Sequence, residues 1–243
     1  MPDESFKNMA IKAAIFDLDA TLIDTERIKK DIIDFIVSGF GLNKKQALEV
    51  YKNSRKENEK NIFSLESLKK ETKKIAKDFS EEKWASFVSD FNQPDKSLLI
   101  NGVSDILAYL SQEKIPVFVL TLGVKEWQDI KIERSGLKNL LGKDFGNIKY
   151  TEEEDARAGK IKEIREILKE LGADDCREVL FFNDKPDETL EIMGEFPELR
   201  VFVRREKNDK RYSGRDFKKL EKNKNILKVS GDLNLVDDIK KFL

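Results

Sequence analysis

The 243-residue sequence contains no histidine and one cysteine, Cys176. Without imidazole there is no Ser-His-Asp or Cys-His catalytic site of the usual kind, and no nitrogen donor for zinc, iron or copper. One thiol excludes an intramolecular disulfide and any multi-cysteine zinc or iron–sulfur site. A bound metal must then rest on oxygen ligands, which points to magnesium, calcium or manganese. A general acid or base must be a carboxylate, a lysine, a tyrosine or that thiol. Charge of one sign is lacking too: 46 Lys and Arg face 47 Asp and Glu, for a formal net charge of -1. That balance gives no overall attraction to nucleic acid or to an anionic membrane. No apolar run approaches the ~18 residues of a membrane span, and the acidic start Met1–Ser5 has neither the basic stretch nor the apolar run of a signal peptide. The expectation is a cytoplasmic protein with no nucleic-acid and no membrane partner.

What is present alternates between two patterns. Ile11–Asp17 is short and mostly apolar, like a buried strand of a parallel sheet. From Leu42 to Asn101 there is no glycine and one proline, Pro94, and apolar residues recur at helical spacing. Ile28, Ile32, Phe35 and Ile36 form one stripe, Ile62, Leu65, Leu68, Thr72, Ile75 and Phe79 a second, and Trp84, Phe87, Val88 and Phe91 a third. This predicts a block of about four amphipathic helices. Beyond Asn101, strands are predicted near Pro116–Thr121, Asn147–Tyr150, Glu178–Phe182, Arg200–Val203 and Ile226–Val229. Helices are predicted between them, with a closing helix over Asp232–Leu243. Glu206–Asn225 reads as a solvated loop or a short exposed helix. Alternating strands and helices imply an α/β fold, a parallel sheet with helices on both faces, and the helical block reads as an insertion after the first strand.

In such sheets ligands bind beyond the carboxyl ends of the strands. Collected there are Asp17, Asp19 and Thr21 after the first strand, Thr121 at the second, and Asn183, Asp184, Asp187 and Glu188 after the fourth. Lys160 starts the preceding helix, with Lys162 and Arg157 as near rivals. Crowded carboxylates repel unless a divalent cation sits among them, and a lysine with helix-start N–H groups suits a phosphate. Metal, anion and carboxylate nucleophile together point to phosphoryl transfer through an aspartyl-phosphate.

These residues resemble the motifs of the haloacid dehalogenase superfamily, over about residues 11–204. Asp17-Leu18-Asp19-Ala20-Thr21 resembles its DxDxT motif, Val119–Gly123 the apolar strand ending in Thr, Lys160 the motif lysine, and Leu180–Glu188 the strand ending in GDxxxD. The resemblance implies a Rossmann-like catalytic core over residues 1–22 and 99–243 and an all-α helical cap over 23–98. It implies a magnesium-dependent phosphatase, a phosphoric monoester hydrolase acting on a small phosphorylated metabolite. Asp17 would be the nucleophile and Asp19 the acid and base. Asp17, Asp184 and the Asp19 backbone carbonyl would hold magnesium. Thr121, Leu122 and Lys160 would bind the phosphoryl group, with Thr21, Asn183, Asp187 and Glu188 in support and either acid of the last pair as the final motif residue. A phosphomutase, or a phospho-ligand or partner binding protein without turnover, are the alternatives. The chain departs from the family pattern at Ala20 and Asn183, each in place of a glycine, and at Leu122 in place of an asparagine.

Overall fold

The computed structural model describes residues 10–56, 63–151, 156–173, 175–206 and 210–241. Met1–Ser5, Ile62, Lys207 and the side chain of Arg157 lie outside the described residues. The chain divides into two compact units.

The first unit comprises residues 1–23, 99–122 and 139–243. Its centre is a six-stranded sheet of β1 (Ala13–Asp17), β2 (Val117–Leu122), β3 (Ile148–Thr151), β4 (Val179–Asn183), β5 (Arg200–Arg204) and β6 (Ile226–Ser230), in the order β3-β2-β1-β4-β5-β6. Every neighbouring pair is parallel. The cause is legible in composition: β1, β4 and β5 are buried at every position, as strands covered on both faces must be, and helices lie on both sides of the sheet. On one face Phe16 stacks on Phe182 at 4.1 Å and Phe182 on Phe202 at 5.0 Å between ring centroids. On the other, Ala13, Ile15, Phe181, Val201 and Val203 join Ile164 and Ile167 of α8 (Ala156–Glu170), Ile192 and Met193 of α9 (Pro186–Glu195), and Phe217 and Leu220 of α10 (Gly214–Leu220) in one core. Strand order reverses between β1 and β4, so their carboxyl ends form the crevice where such sheets bind ligands.

One sequence expectation is narrowed and one changes. Of the loop and the short helix read for Glu206–Asn225, the structure has the helix, α10, opened by a Ser213–Asp216 capping box and anchored by buried Phe217 and Leu220. The closing helix shortens to a single turn, Val236–Ile239. The side chain of Asp232 accepts from the Asn234 N–H at 3.2 Å, and the Leu233 N–H bonds the Asn101 carbonyl at 2.8 Å. Those local bonds give the backbone an alternative to helix until Leu235.

The second unit comprises residues 24–98 and 123–138. It holds α1 (Thr25–Phe40), α2 (Lys44–Lys56), α3 (Leu65–Ile75), α4 (Glu81–Phe91) and α6 (Lys125–Arg134); α5 (Val103–Gln112) belongs to the first unit, and α7 (Leu137–Leu141) follows α6. Side-chain oxygens of Asp24, Ser64 and Ser80 cap α1, α3 and α4. Gly41 ends α1 at φ +63°, in the left-handed region. Phe35, Phe40, Phe63, Phe79, Trp84, Phe87 and Phe91 form the aromatic interior. Trp127 of α6 stacks on Phe91 at 5.7 Å and meets Phe63 at 4.5 Å, which accounts for the grouping of residues 123–138 with these helices. Among the described residues no helix is long and apolar enough to cross a membrane.

Candidate active site

The crevice between β1 and β4 is built within the first unit. Asp17 ends β1, 3% exposed. Lys160 reaches it from α8 with no exposure at all, and its Nζ lies 2.5 Å from Asp17 Oδ1 and 2.5 Å from Glu188 Oε1. The approach of α8 depends on Gly159, because a Cβ there would stand 2.1 Å from Thr151 Oγ1 and 3.1 Å from Thr151 Cβ on β3. Glycine lets the helix close on the strand. Lys162, the near rival, is exposed.

Glu188 sits in the first turn of α9, after Pro186. Its Oε1 also accepts from Asn183 Nδ2 at 3.1 Å, and its Oε2 from Lys185 Nζ at 3.3 Å. Asn183, at the end of β4, spans further to Thr189 Oγ1 at 3.0 Å. The residue standing where the motif has glycine therefore holds the acid that holds the lysine. Asp187 points elsewhere: exposed, it accepts from the Tyr212 hydroxyl at 2.8 Å. Glu188, not Asp187, joins Lys160 and Asp17.

Asp184, 2% exposed, has Oδ2 3.1 Å from Arg211 Nη2. Asp19 is half-buried in the loop after β1, where it bridges Ile23. Thr121 and Leu122 close β2, with Thr121 buried and Leu122 half-buried. Among the described residues, the buried hydroxyls of Thr21 and Thr121 and the buried Asp17 Oδ2 and Asp184 Oδ1 accept or donate no hydrogen bond. Lys185 and Arg211 were not anticipated from the sequence, where each is one of 46 basic residues.

Electrostatics divide the acids. Burial tends to raise Glu188, but Lys160 and Lys185 outweigh it and hold the carboxyl below its usual range. Burial raises Asp17, against the opposing pull of Lys160 and Lys185. Burial, then the charge of Asp17, pushes Asp184 up to about 7. Burial would lower both Lys160 and Lys185, yet the surrounding carboxylates raise them above the usual lysine value. Two buried acids are thus left short of positive charge while each retains a bare, buried oxygen.

The sequence model of the haloacid dehalogenase-like hydrolase family matches residues 11–190. The chain belongs to that family. No curated protein matches the sequence. Among solved structures, a provisionally named haloacid dehalogenase-like hydrolase from Burkholderia xenovorans is similar at 19% identity and TM-score 0.65, over 96% of this chain and 99% of that one. A provisionally named hydrolase of the family from Bacillus subtilis, bound to magnesium, is similar at 15% identity and TM-score 0.56, over 95% and 98%. An L-2-haloacid dehalogenase is similar at 11% identity and TM-score 0.59, over 96% and 100%. At these identities the likeness is one of fold.

Two bare, buried carboxylate oxygens suit a hard divalent cation such as magnesium. Among the described residues no three His, Cys, Asp or Glu side chains gather as a cage. Magnesium keeps several waters and takes one or two carboxylates, and the bare Asp17 Oδ2 and Asp184 Oδ1 supply two.

Proposed function

We propose that this hydrolase is a magnesium-dependent phosphatase that hydrolyses a small phosphomonoester through an aspartyl-phosphate on Asp17. The observation that carries the reading is a buried carboxylate with one oxygen fixed by Lys160 at 2.5 Å and the other bare, beside a second buried acid, Asp184, that burial and Asp17 push up to about 7.

Asp17 attacks phosphorus through one carboxylate oxygen, and the ester P–O bond breaks. Asp19 gives its proton to the departing alkoxide, then takes a proton from the water that attacks the phosphoryl group. The Asp17–phosphorus bond breaks, phosphate leaves and the carboxylate is restored. Lys160, the Thr121 hydroxyl and the Leu122 N–H receive the phosphoryl oxygens, where fixed donors in a dry site count for more than in water. Glu188 keeps Lys160 in place, and Asn183 keeps Glu188 in place. Asp17, Asp184 and the Asp19 carbonyl would hold magnesium, which would supply the charge that lets an anionic nucleophile meet an anionic phosphate.

Support for phosphorus over carbon as the atom attacked comes from Asp184, since a dehalogenase attacking carbon needs no cation-holding pair. A phosphomutase would share the nucleophile, and a protein that only binds a phosphorylated ligand would share the pocket. The reading includes a cytoplasmic setting, in keeping with a lone cysteine free of any disulfide, and no nucleic-acid or membrane partner. The test is release of phosphate from p-nitrophenyl phosphate with magnesium. Turnover by the wild type, abolished in Asp17→Asn, supports the assignment. Equal activity in the two proteins removes Asp17 as nucleophile, sugar-phosphate interconversion exceeding phosphate release selects the mutase, and metal-free halide release from a 2-haloacid selects the dehalogenase.

A further inference from the structure

The loop after β1, which carries Asp19, is held in an uncommon shape. Ala20 lies at φ +59°, in the left-handed region that costs an alanine about tenfold in population. Inside the loop the N–H of Ala20 bonds the Ile23 carbonyl at 2.9 Å, and those of Leu22 and Ile23 bond the Leu18 carbonyl at 3.0 and 3.1 Å. The Ala20 carbonyl is taken by a residue far away in sequence: Arg204 Nη1, at 2.5 Å.

Arg204 ends β5, 7% exposed. Its Nε donates to the Gly231 carbonyl at 3.3 Å, and its Nη2 pairs with Glu206. A planar guanidinium fixed at two points has a fixed third direction, and that direction is the Ala20 carbonyl. Pairing with Glu206 lessens the cost of burying the charge.

We propose that Arg204 is a positioning residue, a clamp from β5 that holds Ala20 in its left-handed conformation and thereby sets the place of Asp19. The inference rests on the phosphatase reading only for the role of Asp19; the clamp itself is a property of the loop.

The experiment compares wild type, Arg204→Met and Arg204→Lys by hydrogen exchange and by turnover of p-nitrophenyl phosphate with magnesium. In Arg204→Met the amides of Ala20, Leu22 and Ile23 should exchange about tenfold faster or more while those of β4 keep their rates, because the Arg204 side chain bonds Ala20, Gly231 and Glu206, all outside β4. Turnover should fall about ten- to hundredfold in kcat with KM within about twofold, the mark of a misplaced group rather than lost binding. Arg204→Lys, which keeps a donor, should recover part of both, and it carries the test if Arg204→Met does not fold. Unchanged loop exchange, or equal acceleration in β4, overturns the clamp. No turnover by the wild type would sink the phosphatase reading instead, with the exchange result still deciding the clamp.

Discussion

Burial and the charge of Asp17 raise Asp184 and give it a pH signature. Its carboxyl stands at about 7 in the folded chain against an ordinary 3.8, raised by burial and then by Asp17. An acid raised on folding binds more protons folded than unfolded in that window. Its contribution is therefore complete below about pH 4 and is lost as pH rises toward about 7. In EDTA, Asp184→Asn should gain in melting temperature relative to wild type as pH rises from about 5 to about 8. Magnesium should raise the wild type and leave the variant unmoved. A gap independent of pH and metal would contradict this. Arg211 bears on the same carboxylate: its exposed guanidinium, 3.1 Å from Asp184 Oδ2, occupies a place a cation would contest. Arg211→Ala should tighten magnesium binding by about fivefold in calorimetry, the scale of one solvent-screened ion pair; weaker binding would make Arg211 a partner of the metal site instead of a rival. Lys160 was legible in the sequence because the order of motifs pointed to it, whereas Glu188 stood level with Asp187 until their side chains were placed. Lys185, Arg204 and Arg211 were not legible, because contacts such as Arg204 to Ala20 span 184 positions and leave no local signal.

At the scale of elements, legibility followed physics. β1, β2, β4 and β5 are apolar runs ended by polar residues, and buried parallel strands have that composition. The helices α1, α3 and α4 announce themselves by the spacing of their apolar residues, and Asp24, Ser64 and Ser80 cap them. The chain's end did not, because Asp232 and Asn234 compete with helix through their own side-chain bonds. The role of Gly159, the close approach of α8 to Thr151, has no signal in the local sequence. Gly159→Ala should force α8 back or turn Thr151, moving Lys160, and lower kcat about tenfold. Adding Thr151→Ala should recover part of that loss, and undiminished kcat in Gly159→Ala would show that the helix position is not critical.

For the whole molecule, a net charge of -1 conceals a local imbalance. Asp17, Asp184, Glu188 and Asp19 gather around Lys160 and Lys185, and a divalent cation would offset the excess negative charge there. The alternation of strands and helices exposed the α/β sheet, and the glycine-free stretch exposed the insertion. The membership of residues 123–138 in the helical unit was hidden, since it turns on where Trp127 packs. On the proposed reading nucleophile, acid and metal ligand are all aspartates, and the covalent step is the part open to direct observation. The decisive measurement is the mass of acid-quenched peptides after brief exposure to a turned-over phosphomonoester with magnesium. The expected result is one phosphoryl group on the peptide containing Asp17, absent from Asp17→Asn. Turnover with no phosphoryl group on that peptide would contradict the aspartyl-phosphate mechanism.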